Sequence, residues 1–148
     1  MDIGEKIPDL KIKLLDGSET SFQELVENGP LLVDFWATWC EPCKKIMKFH
    51  NQYHQDYYEK GFKVLMINME RWSALVKVNS YLNRKDLQFH IGLDQNNQLY
   101  NRLTMKQMLT VILIAKGGEI NWIKKGYLPS DEIEIKKQIE LLLENNIE

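Results

Sequence analysis

Cysteine is scarce in this chain of 148 residues: Cys40 and Cys43 are the only two. A single domain of this length buries roughly two thirds of its unfolded surface without disulfide cross-links. The two thiols are therefore free for chemistry. We predict one domain over residues 1–148.

Long apolar runs, an excess of charge of one sign, and repeated segments are also missing. No run approaches the ~20 residues of a membrane-spanning helix, so we expect no membrane span. The 19 Lys and Arg residues nearly balance the 21 Asp and Glu residues, for a formal net charge of −2. This balance gives no reason to expect nucleic acid or an anionic membrane as a partner. Without repeats, low-complexity tracts or linkers, nothing indicates a second domain.

The most informative stretch is residues 33–44, Val-Asp-Phe-Trp-Ala-Thr-Trp-Cys-Glu-Pro-Cys-Lys. An apolar run leads into it and a helix-forming segment leads out. A buried strand thus delivers Cys40 to the first turn of a helix, where unpaired N–H groups and the helix dipole stabilise a thiolate. Cys43 follows one turn later and can attack a mixed disulfide held by Cys40. The spacing predicts Cys40 as the nucleophile and Cys43 as the resolving thiol.

Two cysteines at this spacing can also form half of a zinc site. Zinc requires two more Cys or His residues at ligand spacing. The three histidines, His50, His54 and His90, show no such pattern. The sequence therefore favours redox chemistry, and we expect neither a metal nor another cofactor.

Apolar periodicity and turn residues predict alternating strands and helices. The predicted strands cover residues 10–14, 31–36, 62–69, 89–93, 111–115 and 120–124. The predicted helices cover residues 21–27, 41–60, 73–82 and 96–103, and a last helix begins within residues 129–132. Alternation up to residue 103, followed by a hairpin and a helix, predicts an α/β fold with a central mixed β-sheet flanked by helices on both faces.

The cysteine motif and its flanks at residues 33–44 resemble those of the thioredoxin superfamily, specifically those of the TlpA/ResA branch of bacterial thiol–disulfide oxidoreductases. Gly-Glu-Lys-Ile-Pro-Asp-Leu at 4–10, with Leu-Asp-Gly at 15–17, resembles the N-terminal extension of that branch. Leu-Ile-Ala-Lys-Gly-Gly-Glu-Ile at 113–120 resembles its late hairpin. The resemblance implies a thioredoxin-like fold whose first 30 residues form a β-hairpin and short-helix extension before a thioredoxin core over 31–148.

The resemblance also implies an activity, thiol–disulfide exchange on protein or small-thiol substrates, with the protein acting as a reductant. Such a protein needs no cofactor, only a disulfide-bearing protein substrate and a thiol electron donor, and we expect a monomer. Many members of the branch are exported, which favours the periplasm or cell envelope. Residues 1–4 lack the basic start and apolar core of a leader, which by itself predicts a cytoplasmic protein.

Asp34 interrupts an otherwise apolar predicted strand. A charged carboxyl costs several kcal/mol when it is buried without a partner, so burial should raise its pKa. Thioredoxins carry an acid at this place, below the resolving cysteine. The resemblance therefore implies that Asp34 is the general acid/base for Cys43. The alternative is a solvated aspartate facing a sheet edge.

Three supporting residues lie next to the cysteines. Pro42 needs no N–H partner in the first helical turn and preorganises its backbone. Glu41 opposes the helix dipole, and we hypothesise that it keeps the pKa of Cys40 closer to neutral, which favours a reductant; a solvated charge with little effect is the alternative. Trp39 is expected to shield the disulfide and offer partners a flat apolar surface, whereas Trp36 is expected in the core.

Two further polar residues are candidates for the site. Glu70 follows a predicted strand end, where the resembled branch places an acidic residue near the cysteines, although the match is offset by about one position. Whether Glu70 is a second acid stays open. His50 is expected to be a hydrogen-bonded core histidine rather than a catalytic group.

The sequence departs from the superfamily pattern at Leu109. Thioredoxin-like proteins carry a cis-proline there, opposite the cysteines. A cis bond costs about 2.5–4 kcal/mol before other residues, against roughly 0.5–1 kcal/mol before proline, so we predict a trans Met108–Leu109 bond. The substrate loop should then have another shape, with the side chains of Met108 and Leu109 crowding the disulfide and weakening or narrowing substrate binding.

Two other functions are considered. Leucine stands at position 109 in place of proline, and this suggests one alternative. The protein would then be a docking or metal-binding module whose cysteines do not turn over. Peroxiredoxins share the Pro-Asp-Leu pattern of residues 8–10 but need Thr three residues before the reactive cysteine. Position 37 is Ala and Thr38 is one step too close, so a peroxidase is disfavoured.

Overall fold

The computed structural model describes residues 1–145. Its strands are β1 (Lys11–Leu14), β2 (Glu19–Ser21), β3 (Leu31–Trp36), β4 (Lys63–Asn68), β5 (His90–Leu93), β6 (Thr110–Ile114) and β7 (Ile120–Lys125). Its helices are α1 (Phe22–Leu25), α2 (Glu41–Tyr57), α3 (Leu75–Leu82), α4 (Gln98–Arg102) and α5 (Asp131–Asn145), with short 3-10 turns at Tyr58–Lys60 and Trp72–Ala74. Within this range, each helix is too short or too polar to cross a bilayer.

The seven strands form one mixed sheet in the order β2-β1-β5-β4-β3-β6-β7. The neighbours β3, β4 and β5 run parallel, whereas β6 is antiparallel to both β3 and β7. The β1–β2 hairpin extends the sheet beyond β5. The predicted mixed sheet is confirmed.

The interior strand β3 contributes to a separate apolar core on each face of the sheet. Leu32 and Trp36 belong to the core that α2, α3 and α5 cover. Leu31, Val33 and Phe35 belong to the core that α1 and α4 cover. Because side chains alternate along a strand, Asp34 faces the side of α2. Helices therefore lie on both faces, as predicted.

Helix α2, predicted over residues 41–60, buries one stripe of side chains. Its buried residues are Cys43, Ile46, Met47, His50, Tyr53, His54 and Tyr57. The helix continues as a 3-10 turn and ends at Gly61, which has a φ of 95°. A side chain at Gly61 would also collide with the carbonyl oxygen of Asn28, so glycine is required there for two reasons.

Side-chain hydrogen bonds account for the first residues of two short helices, which apolar periodicity predicted only approximately. The hydroxyl of Ser21 caps α1 by accepting from Glu24 N–H at 3.1 Å. The predicted helix over 96–103 is shorter, because the carboxylate of Asp94 accepts from the N–H groups of Leu99 and Tyr100 at 2.9 Å each and fixes its first turn. Local capping therefore sets where these short helices begin.

Candidate active site

Cys40 and Cys43 form a disulfide at the first turn of α2, with an S–S distance of 2.05 Å and Cα atoms 5.3 Å apart. Cys40 is the extended N-cap residue and is partly exposed. Cys43 is completely buried. Only Cys40 is therefore accessible to an incoming thiol or disulfide, and it lies at the positive end of the helix dipole.

The turn into α2 is held by its own backbone. Cys40 N–H donates to Ala37 O at 3.0 Å, and Lys44 N–H donates to Cys40 O at 3.2 Å. Pro42 is the second helical residue, where a missing N–H leaves no helical hydrogen bond unmade. This local geometry brings Cys40 and Cys43 together without help from distant residues.

The charge of Glu41 is balanced by a neighbour on the same helix. Lys44 Nζ lies 2.9 Å from Glu41 Oε1 and 5.2 Å from the centre of the Tyr81 ring. Their hydrogen bond holds the pKa of Glu41 below its usual value and raises the pKa of Lys44. The electrostatic effect of the Glu41 charge on Cys40 is therefore combined with the opposite effect of the Lys44 charge.

Asp34 is completely buried and hydrogen-bonded, which rules out a solvated aspartate at a sheet edge. Its Oδ2 lies 3.0 Å from His50 Nε2, and its Oδ1 accepts from Phe35 N–H at 2.9 Å. Burial raises the pKa of Asp34, and this effect exceeds the lowering by His50 and by the backbone N–H groups of Phe35 and Thr110. His50 is the hydrogen-bonded core histidine that the sequence predicted, but its partner was not foreseen.

Glu70 lies beyond the end of β4 and contacts the turn before the cysteines. Its carboxylate accepts hydrogen bonds from Thr38 and, at 3.0 Å, from Asn68 Nδ2. Burial would raise the pKa of Glu70, but the hydrogen bonds from Thr38 and Asn68 outweigh it, and the net shift is downward. No local sequence pattern indicates Thr38 as the partner, since 32 residues separate the two.

Two tryptophans near this edge are exposed. Trp39 is 67% exposed and precedes Cys40, whereas Trp36 is fully buried. Trp72, which the sequence did not single out, is 71% exposed and lies in the turn after Glu70. Because β3 and β4 are parallel neighbours, both exposed rings follow strand ends at the same edge of the sheet.

The loop before β6 differs from the superfamily pattern, and its Met108–Leu109 bond is trans, as predicted. Met108 O accepts from Thr110 N–H at 2.9 Å, and Leu109 O accepts from Gly126 N–H at 2.7 Å. Met108, Leu109 and Cys40 are partly buried and pack against the core that contains Cys43. The two carbonyl groups are thus bonded within the chain.

A mixed sheet covered by helices on both faces, with a Cys-x-x-Cys disulfide at the start of the helix after β3, defines a thioredoxin-fold protein with a redox-active cysteine pair. Residues 2–139 match the Redoxin family, and the chain belongs to that family.

Similar proteins agree with this assignment. The thiol-disulfide oxidoreductase ResA of Bacillus thuringiensis subsp. konkukian is 27% identical over 134 residues, covering 90% of this chain and 76% of the relative. ResA of Geobacillus kaustophilus is 30% identical over 132 residues, covering 89% and 74%. A Chlorobium tepidum crystal structure, provisionally assigned as thiol:disulfide interchange protein DsbE, superposes with a TM-score of 0.88 at 26% identity, covering 97% and 99%.

The prediction of a TlpA/ResA-like thiol–disulfide oxidoreductase is confirmed by the family, the named relatives and the fold. The protein carries out thiol–disulfide exchange, and its partners carry thiols or disulfides.

Proposed function

We propose that the protein acts as a reductant of protein disulfides, with Cys40 as the nucleophile, Cys43 as the resolving thiol and Asp34 as the general acid/base. The difference in exposure between the two cysteines carries this proposal. Cys40 is partly exposed at the helix end, while Cys43 is fully buried. A substrate disulfide can therefore reach Cys40 first, and Cys43 reacts only inside the protein.

The reaction is a pair of sulfur exchanges. The Cys40 thiolate attacks one sulfur of the substrate disulfide, forms a mixed disulfide and releases the first substrate thiolate. Cys43 gives its proton to Asp34 and attacks Cys40 Sγ, and the bond between Cys40 and the substrate breaks. Two electrons pass to the substrate, which leaves as two thiols, and the protein keeps the Cys40–Cys43 disulfide. A thiol electron donor then restores the dithiol.

The other residues near the cysteines take supporting roles in this proposal. Trp39 offers an apolar surface to the substrate, and the loop with Met108 and Leu109 limits which substrates fit. Glu70 accepts two hydrogen bonds from Thr38. These bonds favour a role in which Glu70 stabilises the turn before Cys40, and not a role as a second acid. Residues 1–30 extend a thioredoxin core within one domain, and the protein acts as a monomer.

The test is reduction of insulin with dithiothreitol as the electron donor. The wild-type protein should accelerate the reaction, and Cys40→Ser should abolish the acceleration. Cys43→Ser should accumulate a covalent complex with the substrate, because the resolving thiol is missing. No acceleration, or stoichiometric zinc or iron in the purified protein, would support a binding module instead.

The direction of electron flow is tested by the reduction potential of the cysteine pair. A value near the thioredoxin end of the scale, about −270 mV, agrees with a reductant. A value near about −120 mV indicates an oxidant and contradicts this part of the proposal.

A further inference from the structure

His50 and Asp34 form a polar pair inside the apolar core on the α2 side of the sheet. The distance from His50 Nε2 to Asp34 Oδ2 is 3.0 Å, and both residues have no exposed surface. Asp34 lies in register with Met66 of β4, so its neighbour on that side is apolar. A buried charge or unpaired polar group destabilises a fold, and well-packed apolar residues would serve stability as well or better. The pair therefore suggests a use beyond packing.

The hydrogen bonding of the pair is incomplete. His50 Nδ1 is buried and has no partner within residues 1–145. A histidine kept only for structure usually satisfies both ring nitrogens when it is buried. His54, one turn later on α2, shows the contrast, because its Nδ1 accepts from Val64 N–H at 3.0 Å. Among residues 1–145, the one hydrogen bond of the His50 ring is the one to Asp34.

The position of the pair connects it to Cys43. Residues 43 and 50 lie two turns apart on the buried face of α2. Side chains of a helix lean toward its N-terminus, so the His50 side chain leans along α2 in the direction of Cys43. Asp34 faces the same layer from β3. Since Cys43 is fully buried, its proton needs an acceptor inside the protein.

We propose that His50 is a positioning residue for thiol–disulfide exchange: its hydrogen bond orients the Asp34 carboxyl and favours its ionised form, so that Asp34 can accept the proton of Cys43. This inference rests on the proposed function. In the step concerned, the Cys43 Sγ–H bond breaks and the proton moves to Asp34. The electron pair of Cys43 Sγ forms the bond to Cys40 Sγ, and the substrate sulfur leaves as a thiolate. Asp34 later returns the proton to that thiolate or to water.

Within residues 1–145, one further ring and several backbone groups face the pair. Tyr53 of α2 has its ring centre 5.9 Å from that of His50, and its hydroxyl donates to Glu132 O of α5 at 2.8 Å. From β3 and β6, Asp34 is influenced by backbone N–H groups. Among side chains, His50 contributes most to lowering the pKa of Asp34, through its hydrogen bond and its charge. Loss of His50 should therefore raise that pKa further and favour the protonated carboxyl.

The experiment follows the two steps separately. The reduced protein is mixed rapidly with an aromatic disulfide whose thiol product absorbs light, at a series of pH values. The first phase reports attack by Cys40 and the second reports resolution by Cys43. In His50→Leu the pH midpoint of the second phase should move upward by at least one unit, which lowers the rate below the midpoint about tenfold per unit. The first phase should stay unchanged.

Three variants separate positioning from folding. His50→Gln keeps a donor for Asp34 and should shift the midpoint less than His50→Leu. His54→Gln changes a buried histidine on the same helix that does not contact Asp34, and it should leave the midpoint unchanged. Asp34→Asn should slow resolution, and adding His50→Leu to it should have no further effect on the second phase.

A second readout does not depend on turnover. Infrared difference spectroscopy of the oxidised protein follows protonation of the Asp34 carboxyl directly, and His50→Leu should move this titration to higher pH. An unchanged titration overturns the inference, and so does a shifted titration with an unchanged second phase. If the wild-type protein shows no second phase at all, the proposed function fails while the infrared titration still reports on the pair.

Discussion

Thr38 donates two hydrogen bonds to the carboxylate of Glu70, from its backbone N–H at 2.6 Å and from its hydroxyl at 2.7 Å. Thr38 lies two residues before Cys40, and Glu70 lies just beyond β4. The contact therefore ties the turn that carries Trp39 and Cys40 to the loop of the neighbouring parallel strand.

Glu70→Gln should weaken this tie, because an amide cannot accept both bonds as a carboxylate does. Hydrogen bonds to a charged group contribute about 1.5–3 kcal/mol, so we expect a loss of about 1–2 kcal/mol in the free energy of unfolding, measured with urea. Since the pKa of Glu70 is lowered, its contribution is present above the usual carboxyl pKa and disappears as the pH falls through the folded value. Thr38→Val, which removes only the hydroxyl, should lose less; additive effects of the two changes would contradict the coupling.

Glu41→Gln should lower the pKa of Cys40. The substitution removes a negative charge near the thiolate and also releases the ammonium of Lys44 from its partner. We expect a small shift, because Glu41 is 71% exposed at its side chain and water screens its field. Thiolate absorbance as a function of pH measures the effect. Lys44→Gln is the matched variant and should move the pKa of Cys40 upward; a shift of both variants in one direction would refute the electrostatic explanation.

Trp39→Ala should lower the activity toward protein substrates. Trp39 is 67% exposed, so its removal should change stability little. We expect a several-fold higher KM for insulin and an unchanged rate of reduction by dithiothreitol, which needs no apolar docking surface. Trp72→Ala removes an equally exposed ring and is the control. Equal losses in the two variants would show that general surface hydrophobicity, not the place of Trp39, is responsible.

Leu109→Ala should make the cysteines more accessible to protein disulfides. Leu109 is partly buried and packs against the core that contains Cys43, so we expect kcat/KM for insulin to rise while the free energy of unfolding falls by about 1–2 kcal/mol. Leu87→Ala is the control, because Leu87 packs against the same core but lies before β5 and not in the loop before β6. It should lose stability without a gain in rate. A lower rate in Leu109→Ala would indicate that this side chain holds the substrate.

Because His54 is buried in its neutral form, the protein should be less stable in mild acid than at neutral pH. Burial lowers the pKa of His54 to about 4 from an ordinary value of 6.5. Between these pH values the unfolded chain binds a proton that the folded protein does not, so stability falls as the pH decreases from 6.5 to 4. The slope from one group is at most about 1.4 kcal/mol per pH unit. Urea unfolding at several pH values should show a shallower slope in His54→Gln, and an unchanged slope would exclude His54 as its origin.

Much of the fold was predictable because local rules govern it. The strand over 31–36 was predicted with the same first and last residue as β3. An apolar run confined between Gly29-Pro30 and the cysteine turn can form few other structures. The end at Gly61 of the 3-10 turn that continues α2 followed from the need for a left-handed residue. The start of α4 was placed too early, because its cap comes from Asp94 outside the predicted helix.

The site divides in the same way. The sequence by itself determined the cysteine pair, since strand, turn and helix occupy consecutive residues and place Cys40 at the helix end through local backbone geometry. Only the tertiary structure decided what Asp34 and Glu70 contact. Asp34 meets His50 because β3 packs under α2, and Glu70 meets Thr38 because β3 and β4 are parallel neighbours. A hydrogen bond between residues 16 or 32 positions apart has no local signature, because it exists only after the sheet and its helices have packed together.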